Sequence, residues 1–468
     1  MTASLALLSA SDLARAIRAG RVTSRQAVED NLARIEAWNP RLNAFVALDA
    51  EHARAAADLA DGEARRGRFR GPLHGVPLAH KDMYYRQGRI ATCGSKLRRD
   101  WVAPTTSTAL ARLDAAGALD LGTLNMAEFA FGPTGHNWAI GHARNAWNPA
   151  HITGGSSSGS ATGVAARMFH AALGSDTGAS IRVPAHFCGV VGIKPTWGRV
   201  SRAGAMPLSW SLDTVGPLAR TVEDAALILG LIAGADPADP TASAEPVPDY
   251  VAGLARGAKG LRIGVPTRFF TECDDETRRL LADAERVFAG LGAHVVPVDP
   301  PDMDRLNAFC SMVMSAEAVT IHREWLRTRP QDYGAQVRAR LEAGLTIPAA
   351  YYLDAMRARG PMLEDFSAKV FDRCDMLLAA VTDSAAPTID ETAFGPGPDL
   401  GARLGRFTRF TRCINYLGLP GLSVPAGFAA GGLPVGFQLI GRAFDEATLF
   451  AAGHAYQQAT GWHLRVPE

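Results

Sequence analysis

Two hydroxyl-rich segments lie close together in this chain. Residues 153–162, TGGSSSGSAT, put four serines and three glycines into ten positions directly ahead of an apolar run. Twenty residues beyond the last of these serines, Ser180 sits in a second such stretch, GSDTGASIRVP. A serine hydroxyl needs a base to become a nucleophile, and Ser-Lys arrangements are an established alternative to Ser-His-Asp. Lys81 closes the apolar run of GVPLAHKDM, where an ordinary lysine would not sit. Burial there would penalise its ammonium and favour the neutral amine that a base requires. The SDTGAS stretch adds consecutive backbone N–H groups that could converge on a developing oxyanion. Of the 48 lysines and arginines only five are lysine (81, 96, 194, 259 and 369). Each is a candidate for a role that needs a removable proton, which a guanidinium cannot fill.

Other chemistries fit less well. A phosphate loop needs G-x-x-x-x-G-K-[ST], and no Lys-Ser or Lys-Thr follows these glycines; G-x-G-x-x-G is also absent from the first strand–helix junction. The twelve histidines form no H-E-x-x-H, and His136 and His142, six apart in a loop, read as solvated rather than ligating. Residues 155–159, GSSSG, satisfy the nucleophile-elbow pattern with Ser157 at its centre. An elbow belongs between a buried strand and a helix, and the preceding NAWNPAHITG is loop-like. Serines ahead of an apolar helix more often cap it; the second hydroxyl-rich segment and Lys81 favour chemistry instead.

The elements that must position these groups follow from periodicity. Residues 1–65 read as helices, with a Thr23…Gln26 capping box opening one of them. From Gly71 short β-like runs alternate with helices: GVPLAHKD, then the helix TALARLDAAG, ALDLGTLN, a helix starting at SATGVAARM, AALGSD and VVGIKPT. GLRIGVP and GAHVVPVD resume the alternation after a Pro/Ala-rich surface connection at 235–250. Residues 303–370 read as helical, and their bulky Phe309, Met312, Met314, Trp325, Tyr333, Tyr351 and Tyr352 are either packing faces or a pocket wall. GLPGLSVPAGFAAGGLPVGFQLIG reads as a hairpin. No linker separates two self-sufficient patterns, so the expected fold is one large mixed α/β domain over 1–468.

Composition sets outer limits. The chain has 468 residues, 47% hydrophobic and 20% charged, as in ordinary globular proteins. A net charge of +1 makes no electrostatic case for nucleic acid or an anionic membrane. The six scattered cysteines form no C-x-x-C pair and read as reduced, mostly buried thiols of a cytoplasmic protein. The opening residues lack a basic n-region, so no signal peptide is expected, and no apolar run is long enough to span a bilayer.

At this density of motifs the chain resembles the amidase signature family of serine hydrolases. The resemblance rests on HGVPLAHKD (74–82), GGSSSGSA (154–161), LGSDTGASIRVPAHFCGVVGIKPTWGRVS (173–201), SLDTVGPLARTVEDAA and the C-terminal hairpin with its flanks. It covers nearly the whole chain and is densest from Gly71 to Asp224. It implies an α/β fold in a single large domain, a mixed twisted β-sheet core surrounded by α-helices. N-terminal helices would occupy 1–65, the catalytic region 71–224 and a substrate-pocket region 303–370. By resemblance Ser180 is the nucleophile, Ser156 the bridging serine with a cis peptide bond to its neighbour, and Lys81 the base. The oxyanion-hole amides fall on Thr177, Gly178, Ala179 and Ser180, and Ala130, Phe131 and Gly132 line the acyl pocket. Asp176 and Arg182 would pair to hold the nucleophile loop, and Asp82 should point away from Lys81 or be paired elsewhere.

Two positions depart from the family pattern: Ser158 replaces a usual glycine, and Ala179 stands where D-T-G-G-S has glycine, with a methyl that restricts positive φ and crowds the acyl carbon. The implied activity is hydrolysis of linear amide C–N bonds through an acyl-enzyme, with side activity on esters or carbamates open, and without metal or cofactor. The expected partner is a small-molecule amide, with no nucleic acid, no membrane and a homodimer left open. The alternative is the glutaminase subunit of a tRNA-dependent amidotransferase, disfavoured because the loop FGPTGHN looks more like that of free-standing amidases.

Overall fold

The computed structural model describes residues 4–468; the first three residues of the helical stretch expected at 1–65 lie outside them. Eleven strands form one mixed sheet. In chain order they are β1 (Phe45–Leu48), β2 (Pro77–Lys81), β3 (Leu119–Leu124), β4 (Ala171–Asp176), β5 (Val191–Lys194) and β6 (Thr214–Ala219). They continue as β7 (Arg262–Pro266), β8 (His294–Val298), β9 (Met376–Ala380), β10 (Gly421–Phe428) and β11 (Pro434–Gly441). The spatial order is β1-β3-β2-β4-β6-β5-β10-β11-β9-β7-β8. β2 runs parallel to both β3 and β4, and β7 to β8 and β9, whereas β4–β6, β5–β6, β5–β10 and β9–β11 are antiparallel. The C-terminal hairpin forms as expected, β10 against β11.

Helices cover both faces. Every residue of β2, β4, β6, β9 and β11 is buried, as in sheets enclosed on both sides. Side chains alternate between the faces along each strand: Leu78 and Leu173 join one apolar core, and their neighbours Ala79 and Ala172 the other. The Thr23–Gln26 capping box is present with both bonds, Thr23 N to Gln26 Oε1 at 2.9 Å and Gln26 N to Thr23 Oγ1 at 3.0 Å.

Some elements differ from the sequence expectation. β1 interrupts the 1–65 helical stretch because FVAL, four residues long, pairs antiparallel with β3 at the sheet edge. β6, β9 and the helix Arg182–Cys188 were not anticipated. They are only five to seven residues long and buried along their whole length, so no polar–apolar alternation marks them. Residues 303–370 are helical as expected, in Met303–Thr328, Ala335–Gly344 and Ala349–Phe366. Their bulky groups are mostly packing faces: Phe309, Met312, Trp325 and Tyr352 lie against the core, and Tyr351 is exposed. No helix among the described residues is long and apolar enough to cross a membrane.

Candidate active site

Lys81 is the last residue of β2 and is completely buried. Its Nζ lies 2.7 Å from Ser156 Oγ and 2.9 Å from Ser175 Oγ, the latter on the adjacent strand β4. Burial drives its pKa down from the ordinary 10.5 to about 7, although the charges of Asp176 and Asp213 act the other way. Of the other lysines, 96, 259 and 369 are exposed, and only Lys194 is also buried, its Nζ donating to Pro195 O at 3.0 Å. Asp82 points away from Lys81, as expected. It accepts from the Thr92 amide at 3.2 Å, the Thr92 hydroxyl and the Gly94 amide at 3.2 Å, and burial raises its carboxyl to about 6.

Ser156 follows a cis peptide bond from Gly155. The segment is wedged: a Cβ on Gly155 would lie 2.4 Å from Gly132 O and 2.6 Å from Gly135 N, so only glycine fits. On its other side Gly154 packs against Val183, Pro184 and Phe187 of the helix that follows Ser180. Ser157 is fully buried at the start of the helix Ser158–Ala165, with its Oγ 3.3 Å from Ser175 O. It reaches no open space, which removes the nucleophile-elbow reading. Ser158 takes the first helical position and donates to Asn125 O at 3.3 Å, so the departure from glycine is absorbed by packing.

Thr177–Ser180 form the turn between β4 and the helix Arg182–Cys188. Among the described residues their four amides donate to no acceptor in the chain, whereas the next two, Ile181 and Arg182, donate to Asp176 Oδ2 at 3.1 and 3.3 Å. These four residues and Ala130, Phe131 and Gly132 line one cavity, together with Met314 and Arg340 from two helices of the 303–370 region. Ser180 is 8% exposed, against 0% for Ser156 and Ser157, so of the three it alone opens to this cavity. Ala179 does not adopt positive φ. Its methyl joins Ile152, Val183 and Phe187 in a small apolar cluster, which removes the backbone objection raised by its sequence.

The turn is held from below by the fully buried pair of Asp176 and Arg182, 3.1 Å apart. Burial opposes the Asp176 carboxylate, but the Arg182 charge and hydrogen bonds outweigh it and keep the group below its ordinary range. Arg182 also donates to Gln438 Oε1 at 3.1 Å and Asn415 Oδ1 at 2.5 Å, tying the turn to β11 and to the helix Arg409–Leu417. Thr177 donates to Asp213 at 2.5 Å, and Thr411 donates to Gly178 O at 2.7 Å. The arrangement thus offers a hydroxyl facing a cavity, four free amides beside it, and a serine–lysine pair with a base poised near neutral pH.

The family model for amidases matches residues 26–450. The chain belongs to the amidase family. It is 41% identical to the A subunit of glutamyl-tRNA(Gln) amidotransferase from Halorhodospira halophila (strain DSM 244 / SL1), over 98% of each chain. Among solved structures it is similar to a chain of a vestigial protein complex tied to the origins of an s-triazine catabolic enzyme (35% identity, TM-score 0.90, 97% and 99% of the two chains). It is also similar to the peptide amidase of Stenotrophomonas maltophilia (32% identity, TM-score 0.86, 98% of each chain). Family membership makes it an amide-hydrolysing enzyme on a single-domain α/β fold.

These relatives correct the partner expectation. A small-molecule amide as sole partner, no nucleic acid and at most a homodimer does not fit kinship with one component of an enzyme named for glutamyl-tRNA. The FGPTGHN loop misled because its Phe131, Gly132 and Pro133 line the cavity that Ser180 faces and carry no information on an outer surface. Net charge misled because it averages over the whole surface and carries no information on contacts supplied by other proteins.

His136 is also not solvated: it is buried, its Nε2 lies 2.9 Å from Thr392 Oγ1, its ring is 4.5 Å from that of His142, and burial lowers it to about 4. No group of three or more side chains suited to a metal ion occurs among the described residues. Sequence reasoning missed Ser175, Asp213, Arg340 and Arg412. Ser175 was visible within GSDTGAS, but nothing local marked it as the second neighbour of Lys81. The arginines were hidden among many others.

Proposed function

We propose that this chain cleaves amide C–N bonds with Ser180 as nucleophile, Ser156 as proton relay and Lys81 as base. The observation that carries the reading is the buried, near-neutral Lys81 bonded to Ser156, behind a cavity where Ser180 meets four unpaired amides. Neutral Lys81 accepts the Ser156 proton while donating to Ser175, and Ser156 takes the proton of Ser180 as its Oγ bonds to the amide carbon. The amides of Thr177, Gly178, Ala179 and Ser180 stabilise the tetrahedral oxyanion. Lys81 then returns the proton through Ser156 to the leaving nitrogen, the C–N bond breaks, and ammonia or an amine departs from an acyl-Ser180 ester. Water attacks that ester through the same relay in the second half-reaction. Linear amides outside peptide bonds are the substrates this small cavity favours.

The relatives favour a setting within a tRNA-dependent amidotransferase over a solitary hydrolase. In that setting the chain works in the cytoplasm with partner chains, and the nitrogen it releases passes to an acyl-tRNA acceptor. The test is ammonia release from a panel of primary amides by the chain alone and by the complex recovered with it from its own host. Wild type should turn over at least one amide and Ser180→Ala none. Undiminished turnover by Ser180→Ala would overturn the chemistry. Recovery of a lone chain, with turnover unaffected by any partner or tRNA, would overturn the setting.

A further inference from the structure

A second cavity, of about 250 Å³, lies at the end of β4 and β6 away from Ser180, and Arg167 and Arg220 line it. Ala219, just before Arg220, pairs with Ala171 at the start of β4, whereas Thr214 pairs with Asp176 beneath the nucleophile turn. The cavity is thus one strand length from the candidate active site, roughly 17 Å along the sheet. Arg167 follows the helix Ser158–Ala165 with φ 61°, a left-handed position where glycine is favoured. Its buried guanidinium donates only to carbonyls, those of Val164, Ala165, His463 and Arg465, and its Nε has no partner. Arg220, also buried, donates to Leu7 O at 2.6 Å, while its Nε and Nη2 have no partner. His454, on the helix Glu446–Thr460, and His463, in the turn Trp462–Leu464, complete the wall. The Nδ1 of each is buried without a partner. The two acids of the wall, Asp12 and Glu223, are paired instead with the exposed Arg15, at 2.8 and 2.7 Å. Asp224, the other acid acting on Arg220, is occupied by the Ala10 and Ser11 amides and the Ser11 hydroxyl. Among the described residues neither Arg167 nor Arg220 forms an ion pair. Burial and the like charges of Arg220 and Arg34 all push Arg167 well below its ordinary range.

A buried cation without a counter-charge is costly, and so is each buried N–H without an acceptor. Here five unpartnered nitrogens belong to residues bordering one void: Arg167 Nε, Arg220 Nε and Nη2, His454 Nδ1 and His463 Nδ1. They come from four separate segments, so an anion with acceptors on several sides relieves them together. A planar carboxylate fills one guanidinium fork, whereas a tetrahedral oxyanion presents charged oxygens all round. Burial and the charges of Arg167 and Arg220 hold His463 down to about 4, so it serves as a neutral ring with one N–H to donate. We propose that this cavity binds phosphate, free or as the end of a small phosphomonoester. The bound anion would tie residues 7–12 and 463–466, which also border the cavity, to the end of the sheet. It would touch no substrate atom at Ser180, so the site stands apart from the amide chemistry.

The experiment is titration calorimetry near neutral pH on the full chain, with any partner chains recovered with it. The probes are inorganic phosphate, glycerol 3-phosphate, succinate and chloride at equal ionic strength. Phosphate or its ester should bind with a Kd below about 1 mM, at least about ten-fold tighter than succinate or chloride. The same anion should raise the thermal unfolding midpoint, since it binds only the folded chain. The tighter of the two phosphates identifies the source, and equal affinity means that the phosphate group alone is read. The double variant His454→Leu/His463→Leu removes two donors that make no hydrogen bond within the chain among the described residues. It should fold, react with a fluorophosphonate at the wild-type rate, and bind the phosphates about ten-fold or more weakly. Arg220→Gln should weaken them at least as much. A Kd above about 1 mM for both phosphates would overturn the proposal. So would equal binding of succinate or chloride, or undiminished phosphate binding by the double histidine variant.

Discussion

Replacing Lys81 with methionine should destroy amide turnover and, at neutral pH, stabilise the fold. In the unfolded chain the amine titrates at its ordinary 10.5, and in the folded protein at about 7. Between these values the unfolded state binds the extra proton, so wild-type stability rises with pH. The penalty for burying the amine is complete below about pH 7 and vanishes above about 10.5. At about 1.4 kcal/mol per pH unit it is about 4 kcal/mol at pH 7, about 3 at pH 8 and about 1 at pH 9.5. Methionine removes this penalty but also the two contacts to Ser156 and Ser175, each worth about 1 kcal/mol. Lys81→Met should therefore be more stable than wild type by about 2 kcal/mol at pH 7, near parity at about pH 8.5 to 9, and less stable at pH 9.5. Lys194, also lowered to about 7, is common to both proteins and cancels in the difference. Urea titrations at the three pH values measure it. A difference that does not change with pH, or a wild type more stable at pH 7, would refute a neutral Lys81 in the folded state.

Amide turnover should fall on the acid side with an apparent pKa near 7, as Lys81 takes up a proton and can no longer accept one through Ser156; a pH–rate profile flat from pH 8 to 5.5 would exclude it as the base. A fluorophosphonate should label Ser180 and not Ser157, read by peptide mapping, since only Ser180 opens to the cavity. Arg182→Met leaves the buried Asp176 carboxylate without its cation and should cost about 3–5 kcal/mol in urea unfolding. Ser180 labelling should slow in the same variant, because Asp176 also holds the amides of residues 181 and 182.

Much of the site was legible in the chain because its parts are local. Ser180 and its four amides occupy one turn, and Ser156 lies in a glycine-rich segment whose composition marks a close approach of backbones. Lys81 stood out as a cation at the end of an apolar run, and burial is the cause of its lowered pKa. Strands and helices with clear periodicity were equally readable, down to the reciprocal bonds of the Thr23–Gln26 box. The short buried strands β6 and β9 were not, since a run of five or six residues buried on both faces has no alternating polar face to reveal its period.

What the tertiary structure alone decided is which distant groups meet. Ser175 becomes the second neighbour of Lys81 because β2 and β4 pair in parallel, 94 residues apart in sequence. Arg340 and Arg412, on separate helices, converge on one cavity and find no acid there, which no spacing in the sequence encodes. The same holds for the bulky residues of 303–370: one helical period serves packing and lining alike, and only the position of neighbouring helices sent Met314 to the cavity and Trp325 to the core. Sequence pattern specifies what a segment can do; which charge stands beside which in low dielectric is set by folding.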